Sequence, residues 1–96
     1  MKYFIVKGTG AYKDWFYLVS KKSIKSETEL QEIRKRQEEL QMPQHIIDSW
    51  IERLTYEVIA EVTVDRQNWI ATEKVSGQCW NYSPWAQNQA FKQSNK

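Results

Sequence analysis

The sequence is poor in the residues from which small proteins build catalytic and metal centres. It contains one cysteine, Cys79, and one histidine, His45, among 96 residues. A single cysteine excludes an internal disulfide and a zinc site made of several cysteines, and it is typical of a reducing compartment. Nothing in the spacing brings Cys79 and His45 together with a group that would orient them. We therefore expect no catalytic residues, no metal site and no cofactor.

Long apolar runs are also missing. The N-terminal residues MKYFIVKG lack the run of about 7–15 apolar residues that a signal peptide needs. No stretch of about 18 apolar residues occurs that could cross a membrane. The absence of both features predicts a cytoplasmic protein with no membrane partner, and the length fits one domain with a single core.

Tryptophan, in contrast, is abundant. The chain has five tryptophans, and a core of this size does not require so many. Some of these rings are expected at the surface, where tryptophan is enriched at contact sites. Charge is also unevenly distributed, because residues 1–25 and 76–96 are basic while residues 26–75 hold eleven acidic and six basic side chains. Such polarity bears on partners and not on the fold.

The stretch from Tyr56 to Val75 predicts a central β-hairpin, because apolar residues alternate with polar ones on both sides of a polar turn. Pairing Val64 with Trp69 would place Val62 opposite Ala71, Ala60 opposite Glu73 and Val58 opposite Val75. Glu73 would then face the core, where an unpaired carboxylate is costly. A bulge that turns it outward, a basic partner at the sheet edge and a functional carboxyl with a raised pKa are the alternatives, and the first two are favoured.

Two further elements precede this hairpin. Residues 2–7 and 15–19 are β-branched and aromatic, and they flank a turn that contains two glycines, so they predict an N-terminal hairpin. Ser26 and Glu29 have the spacing of a capping box, which predicts a helix from about Glu27. A second short helix is expected over residues 44–54, after the break at Pro43.

The segment after Ser76 is rich in Gln, Asn and Ser and lacks acidic residues, yet it holds four aromatic rings at Trp80, Tyr82, Trp85 and Phe91. Residues 79–91 either pack over the domain, with Trp80 and Trp85 closing one end of the core, or remain exposed and become ordered on a partner. Packing is slightly favoured, because disordered tails hold few aromatics. We accordingly predict a domain over residues 1–78 and an aromatic tail over 79–96, whose last five residues fray.

Together these elements predict an α+β fold of order β-β-α-α-β-β. It has a mainly antiparallel four-stranded sheet made of the two hairpins and two helices packed on one of its faces. The residues expected to join helices and sheet are Leu30, Ile33, Leu40, Ile47, Trp50 and Leu54. The strand order is not determined by the sequence. An uncovered second face bearing Ile59 and Ile70 would favour a homodimer.

No known motif assigns a function, so two hypotheses stand. The favoured one is a non-catalytic protein-interaction module, such as an accessory subunit or inhibitor of a larger macromolecular enzyme, that docks through Trp80, Tyr82 and Trp85. The alternative is a small nucleic-acid-binding module that uses the N-terminal hairpin, where lysines lie beside aromatic rings. Its candidate residues are Lys7, Tyr12, Lys13, Trp15, Lys21 and Lys22. Lysines that flank strands also prevent edge aggregation, so a protein partner is favoured over nucleic acid.

Overall fold

The computed structural model describes residues 1–93, which contain six strands and two α-helices. The strands are β1 (Tyr3–Gly8), β2 (Phe16–Ser20), β3 (Tyr56–Asp65), β4 (Ile70–Glu73), β5 (Cys79–Ser83) and β6 (Gln89–Lys92). The helices are α1 (Glu27–Glu39) and α2 (Gln44–Leu54), and single 3-10 turns cover Gly10–Tyr12, Lys21–Ser23 and Pro84–Ala86. The fraying predicted for the chain end falls partly on residues 94–96, which lie outside the described residues.

The strands close into an antiparallel barrel in the order β1-β2-β6-β5-β4-β3. The predicted four-stranded open sheet is therefore wrong, because β5 and β6, formed by residues 79–92, extend the sheet from β4 round to β2. The closing contact between β2 and β6 is short and pairs only Phe16 with Ala90 and Tyr17 with Gln89. We call this contact the seam.

The interior of the barrel is filled by side chains, as expected for a barrel of few strands. The buried cluster consists of Ile5, Leu18, Val62, Ala71, Trp80, Tyr82 and Ala90. Trp80 is 3% exposed, and its ring centroid lies 5.1 Å from that of Phe16. Trp80 and Tyr82 point inward on either side of the exposed Asn81, so β5 follows the two-residue period of a strand.

The helices pack against each other outside the closed barrel, so the predicted open sheet with both helices on one face is also wrong. Arg34 and Asp48 join α1 to α2 at 2.7 Å, and Ile47 is 1% exposed. Leu40 and Trp50, which were expected to meet the sheet, are 66% and 46% exposed. The apolar face that the helices were expected to cover lies inside the closed barrel, while Val6 is buried without belonging to the interior cluster.

Both helices begin where the sequence predicts. The Ser26 hydroxyl accepts a hydrogen bond from the Glu29 backbone N–H at 3.1 Å, and the Glu29 carboxylate accepts one from the Ser26 N–H at 3.2 Å. These two bonds confirm the capping box of α1. The second helix spans Gln44–Leu54, as expected. Within residues 1–93, neither helix is both long and apolar enough to cross a bilayer.

The central hairpin forms, but its register lies two residues away from the predicted one. Val64 pairs with Ala71, and Val62 pairs with Glu73. The Asp65 carboxylate accepts hydrogen bonds from the Gln67 and Asn68 backbone N–H groups, which moves the turn to residues 66–69. A shift of two residues leaves every side chain on its predicted face. Trp69, however, leaves the strand and joins the turn.

Glu73 faces the barrel interior and is hydrogen-bonded there by neutral donors. Its carboxylate accepts from the Trp80 indole N–H at 2.7 Å and from the Ser76 hydroxyl at 2.8 Å. The adjacent Lys74 pairs with Glu61 instead, at 2.6 Å. The cost of a carboxylate at the core is therefore offset by an indole and a hydroxyl, an arrangement outside the three alternatives that the sequence suggested.

Candidate functional site

One end of the barrel carries a group of packed aromatic rings that reaches the surface. Trp69 lies edge-on to Tyr82, with ring centroids 5.8 Å apart, and to Trp85, with centroids 5.7 Å apart. Tyr82 is buried, Trp69 is 38% exposed and Trp85 is 82% exposed. The three rings form a series from the core to the solvent, which we call the tryptophan cluster. Trp85 is thus exposed and at the same time supported from one side.

Uncommon backbone conformations place these rings. Trp69 has a φ of 54°, in the left-handed region that few residues other than glycine adopt. Trp85 lies in the turn that begins at Pro84, and the residues that follow this turn, Gln87 and Asn88, have φ values of 55° and 60°. Left-handed residues of this kind carry strain and are frequent at functional sites. The positions of these rings therefore depend on the backbone conformations of two turns, and not only on the pairing of the strands.

A cleft of about 520 Å³ lies beside the tryptophan cluster. Leu18 and Val64 reach it from the barrel interior, and Arg66 lies at its rim. The Arg66 guanidinium donates a hydrogen bond to the Tyr3 hydroxyl at 2.6 Å and lies 5.7 Å from the centroid of the Tyr3 ring. The result is a cleft with both polar and apolar lining and a positioned cation at its edge, which we call the mouth cleft.

A second cleft, of about 500 Å³, lies between α2 and the outer side of β2. Its aromatic lining consists of Tyr12, Tyr17, Trp50 and Tyr56, and Arg53 and Glu52 also line it. The ring centroids of Tyr17 and Tyr56 are 6.2 Å apart. Burial raises the pKa of Tyr17, and the nearby Tyr56 and Tyr12 raise it further, while Arg53 opposes them. Three phenol groups and one guanidinium thus converge in what we call the tyrosine cleft.

The turn at Gly10–Tyr12 fixes one wall of the tyrosine cleft. Thr9 donates from its hydroxyl to the carbonyl of Thr55 at 3.2 Å, and the Glu52 carboxylate accepts from the Ala11 backbone N–H. Gly10 has a φ of +59°, and a Cβ there would overlap the Glu52 carboxylate. The turn therefore needs glycine both for its backbone conformation and for its close approach to α2.

The two clefts are neighbours. Val19 and Gln87 line both of them, one from β2 and the other from the loop before β6. They therefore lie beside the seam, where β2 and β6 close the barrel. The tyrosine cleft and the mouth cleft therefore adjoin at Val19 and Gln87.

The structure separates the three residues predicted to bind a partner. Trp80 lies in the core, Tyr82 is buried beneath Trp69, and Trp85 is exposed. Sequence reasoning missed Trp69 and Arg66 as members of this surface. The available signal was the polar run Asp-Arg-Gln-Asn before Trp69, which is typical of a turn that can present the next ring to solvent.

The six residues predicted to bind nucleic acid do not form one patch. Lys7 pairs with Phe16 near one end of the barrel, where the Gly10–Tyr12 turn also brings Tyr12, Lys13 and Trp15. Lys21 and Lys22 follow Ser20, which pairs with Tyr3 at the other end. The two groups are separated by four residues of extended strand, or about 13 Å.

The rare chemical groups stay apart from these clefts. His45 is exposed in the first turn of α2, and Cys79 lies in β5 beside Thr72, with the sulfur 3.6 Å from the hydroxyl oxygen. Among residues 1–93, no three His, Cys, Asp or Glu side chains are grouped so that they could hold a metal ion. No protein-family model, curated protein or solved structure matches the chain.

Proposed function

We propose that this protein is a non-catalytic interaction module that binds a protein partner through the tryptophan cluster and the mouth cleft. One observation carries the proposal: Trp85 is 82% exposed, yet it packs against Trp69, which packs in turn on the buried Tyr82. Tryptophan, tyrosine and arginine are the residues that most often dominate the binding energy of protein interfaces. The tryptophan cluster and Arg66 supply all three.

The energetics favour Trp85 as the anchor. An aromatic side chain can bury about 150–250 Å², which corresponds to about 4–6 kcal/mol at 25 cal/mol per Å². Immobilising a side chain on binding costs about 0.5–1.5 kcal/mol, and packing against Trp69 reduces that cost before the partner arrives. A preorganised exposed ring therefore contributes more net affinity than a free one.

The chemistry of the mouth cleft indicates what the partner presents. Leu18 and Val64 at the cleft favour an apolar side chain, and Arg66 at the rim favours a carboxylate beside it. We propose that an apolar residue next to an acidic one on the partner occupies the mouth cleft. An accessory subunit or an inhibitor of a larger macromolecular enzyme would bind in this way. A homodimer through Ile59 and Ile70 stays a separate prediction.

The test compares Trp85→Ala with Trp15→Ala. Trp15 is a matched control, because it is 45% exposed and lies near the opposite end of the barrel. Tagged wild-type protein and both variants are used to capture partners from the source cell, and any candidate is then purified and titrated directly. We expect one partner that binds the wild type and Trp15→Ala but binds Trp85→Ala at least about tenfold more weakly. Equal binding by Trp85→Ala would contradict the proposal.

A second candidate function, nucleic-acid binding, has one supporting observation, which concerns two of the six residues predicted for it. Lys21 and Lys22 follow Ser20, which pairs with Tyr3, and Arg66 donates to the Tyr3 hydroxyl, so the two lysines lie at the same end of the barrel as Arg66. They line a separate groove there with Phe4 and Val58. Lysines, arginine and stacking rings are what single-stranded nucleic acid requires. Fluorescence anisotropy with labelled single-stranded DNA and RNA at roughly 50 and 200 mM salt separates the two functions. Binding that weakens steeply with salt and is lost in Trp85→Ala would replace the protein partner with nucleic acid.

A further inference from the structure

We propose that the tyrosine cleft binds a small aromatic phosphate, with the phosphate held by Arg53 and the tyrosine hydroxyls and the aromatic ring packed against Trp50. None of the three rings of the tryptophan cluster lines this site, although Val19 and Gln87 line both it and the mouth cleft. It would add a small-molecule ligand to a protein whose proposed partner binds elsewhere.

The donors that line the cleft define the charged part of the ligand. Tyr12, Tyr17 and Tyr56 each offer a hydroxyl, and Arg53 offers a planar fork of N–H donors. The raised pKa of Tyr17 keeps its hydroxyl protonated, and so able to donate, throughout the neutral range. This set exceeds what the two oxygens of a carboxylate can accept, whereas a phosphate monoester has three terminal oxygens and binds arginine in bidentate fashion.

The one acidic side chain that lines the cleft does not oppose an anion at its centre. Glu52 is drawn toward the Gly10–Tyr12 turn, where its carboxylate accepts from the Ala11 backbone N–H. Arg53, the next residue on α2, also lines the cleft, and its charge lowers the pKa of Tyr17 against the larger effect of burial. Among residues 1–93, Arg53 is the cationic residue that lines this cleft.

The walls define the uncharged part of the ligand. Trp50 is 46% exposed and lines the same cleft as the tilted pair of Tyr17 and Tyr56. Flat rings on several sides suit a planar aromatic group, which can pack edge-on or with an offset face. The volume of about 500 Å³ falls within the range that small-molecule sites usually have. A nucleoside monophosphate and a phenyl phosphate both satisfy these requirements.

The experiment is a titration of the ¹⁵N-labelled protein followed by two-dimensional amide NMR. The four probes are adenosine monophosphate, phenyl phosphate, adenosine and inorganic phosphate. We expect saturable shifts at residues that line the tyrosine cleft, in the millimolar range or tighter, for at least one of the two aromatic phosphates. Adenosine and inorganic phosphate should bind at least about tenfold more weakly, because each lacks one of the two recognised parts. Tighter binding of the nucleotide than of phenyl phosphate would identify a nucleoside ligand, and equal binding a general aromatic phosphate.

Two variants test the role of the donors, and two controls test the location. Arg53→Gln and Tyr17→Phe should each weaken binding, the first by at least about tenfold, while their amide spectra report directly that the fold is kept. Arg36→Gln removes an exposed arginine outside the cleft and should bind like the wild type. Trp85→Ala should also bind like the wild type, which separates this proposal from the protein-interaction function. The proposal is overturned by the absence of saturable shifts with both aromatic phosphates, by shifts located elsewhere, or by unchanged binding in Arg53→Gln.

Discussion

Trp80 and Trp85 lie in the same segment of the chain, and the structure predicts that replacing them has opposite consequences. Trp80 is 3% exposed, packs on Phe16 and donates its indole N–H to Glu73. Truncation of a buried aromatic residue costs about 3–5 kcal/mol. A domain of this length has a free energy of unfolding of about 5–14 kcal/mol, so Trp80→Ala should remove a large fraction of it. Trp85→Ala should change it by less than about 0.5 kcal/mol, because its ring is 82% exposed.

The contribution of the indole hydrogen bond can be separated from that of the ring. Trp80→Phe keeps an aromatic ring in the core but removes the N–H donor. A buried hydrogen bond to a charged group contributes about 1.5–3 kcal/mol. Glu73 is only half-buried and still accepts from Ser76, so we expect the lower part of that range, together with a small packing loss. Glu73→Gln keeps an acceptor at the same place and should cost less than Trp80→Phe.

Urea unfolding followed by far-ultraviolet circular dichroism measures all four variants, because this signal does not depend on which tryptophan is replaced. Equal slopes of free energy against urea concentration would show that the folded and unfolded states are comparable between variants. A loss below about 1 kcal/mol for Trp80→Ala would refute the assignment of Trp80 to the core. So would a loss in Trp85→Ala that matches the loss in Trp80→Ala.

Two further predictions concern the turns and the exposed carboxylates. Gly77→Ala should cost about 1 kcal/mol through its φ of +75° alone, because nothing lies near the added Cβ. Gly10→Ala should lower the free energy of unfolding by about 2 kcal/mol, because its added Cβ also meets Glu52. The part of this loss that exceeds the loss in Gly77→Ala should disappear in the double variant Gly10→Ala/Glu52→Ala. Equal losses in Gly10→Ala and Gly77→Ala, measured by urea unfolding, would contradict the contact with Glu52. Hydrogen bonds hold the pKa values of three carboxyl groups below their usual range, from Arg34 to Asp48, from Lys74 to Glu61 and from Asn68 to Asp65. Their folded pKa values lie below the unfolded ones, so their contribution to stability is complete above about pH 5 and is lost as the pH falls through the folded values. The melting temperature should therefore drop on acidification through this range, and a flat profile would count against these bonds.

The features that the sequence predicts correctly are those decided by neighbouring residues. The capping box needs only Ser26 and Glu29, so the start of α1 is readable from a span of four residues. The break at Pro43 places the start of α2 in the same way. The faces of the central hairpin are also correct, because burial of Val62 and Ala71 requires the same two-residue period in either register.

Barrel closure is not readable in this way. It depends on pairing Phe16 with Ala90, residues far apart in sequence, and the alternation along β2 is the same in an open sheet and in a closed barrel. The Gln- and Asn-rich composition after Ser76 also obscured β5, although Trp80 and Tyr82 alternate correctly around Asn81. Without the closing strands, the apolar face of the sheet has no cover, which is why the sequence predicts helices on it.

The sequence predicts that tryptophan rings are exposed, but it does not identify which of them are. An excess of tryptophan does indicate exposed rings, and Trp85 is the most exposed of the five. The composition of the segment does not distinguish Trp85 from Trp80. The two residues differ in exposure because β5 ends between them, at Ser83. Trp80 lies inside the strand and opposite Ala71, while Trp85 follows Pro84, beyond the last paired residue of β5. The turn bonds of Asp65, and not the hydrophobic pattern, likewise place Trp69 beside Trp85.

The seam lies between the two proposed sites, so any influence of one site on the other would pass through its few contacts. Besides its two residue pairs, it has the hydrogen bond from the Leu18 N–H to the Asn88 carbonyl at 2.9 Å, next to Gln87, which lines both clefts. A ligand in one cleft can change the affinity of the other cleft only if the seam has two conformations and the ligand binds one of them more tightly. Arg53 is on α2, and Trp85 is in the turn before β6. With a rigid seam, loss of either side chain should therefore leave binding at the other cleft unchanged.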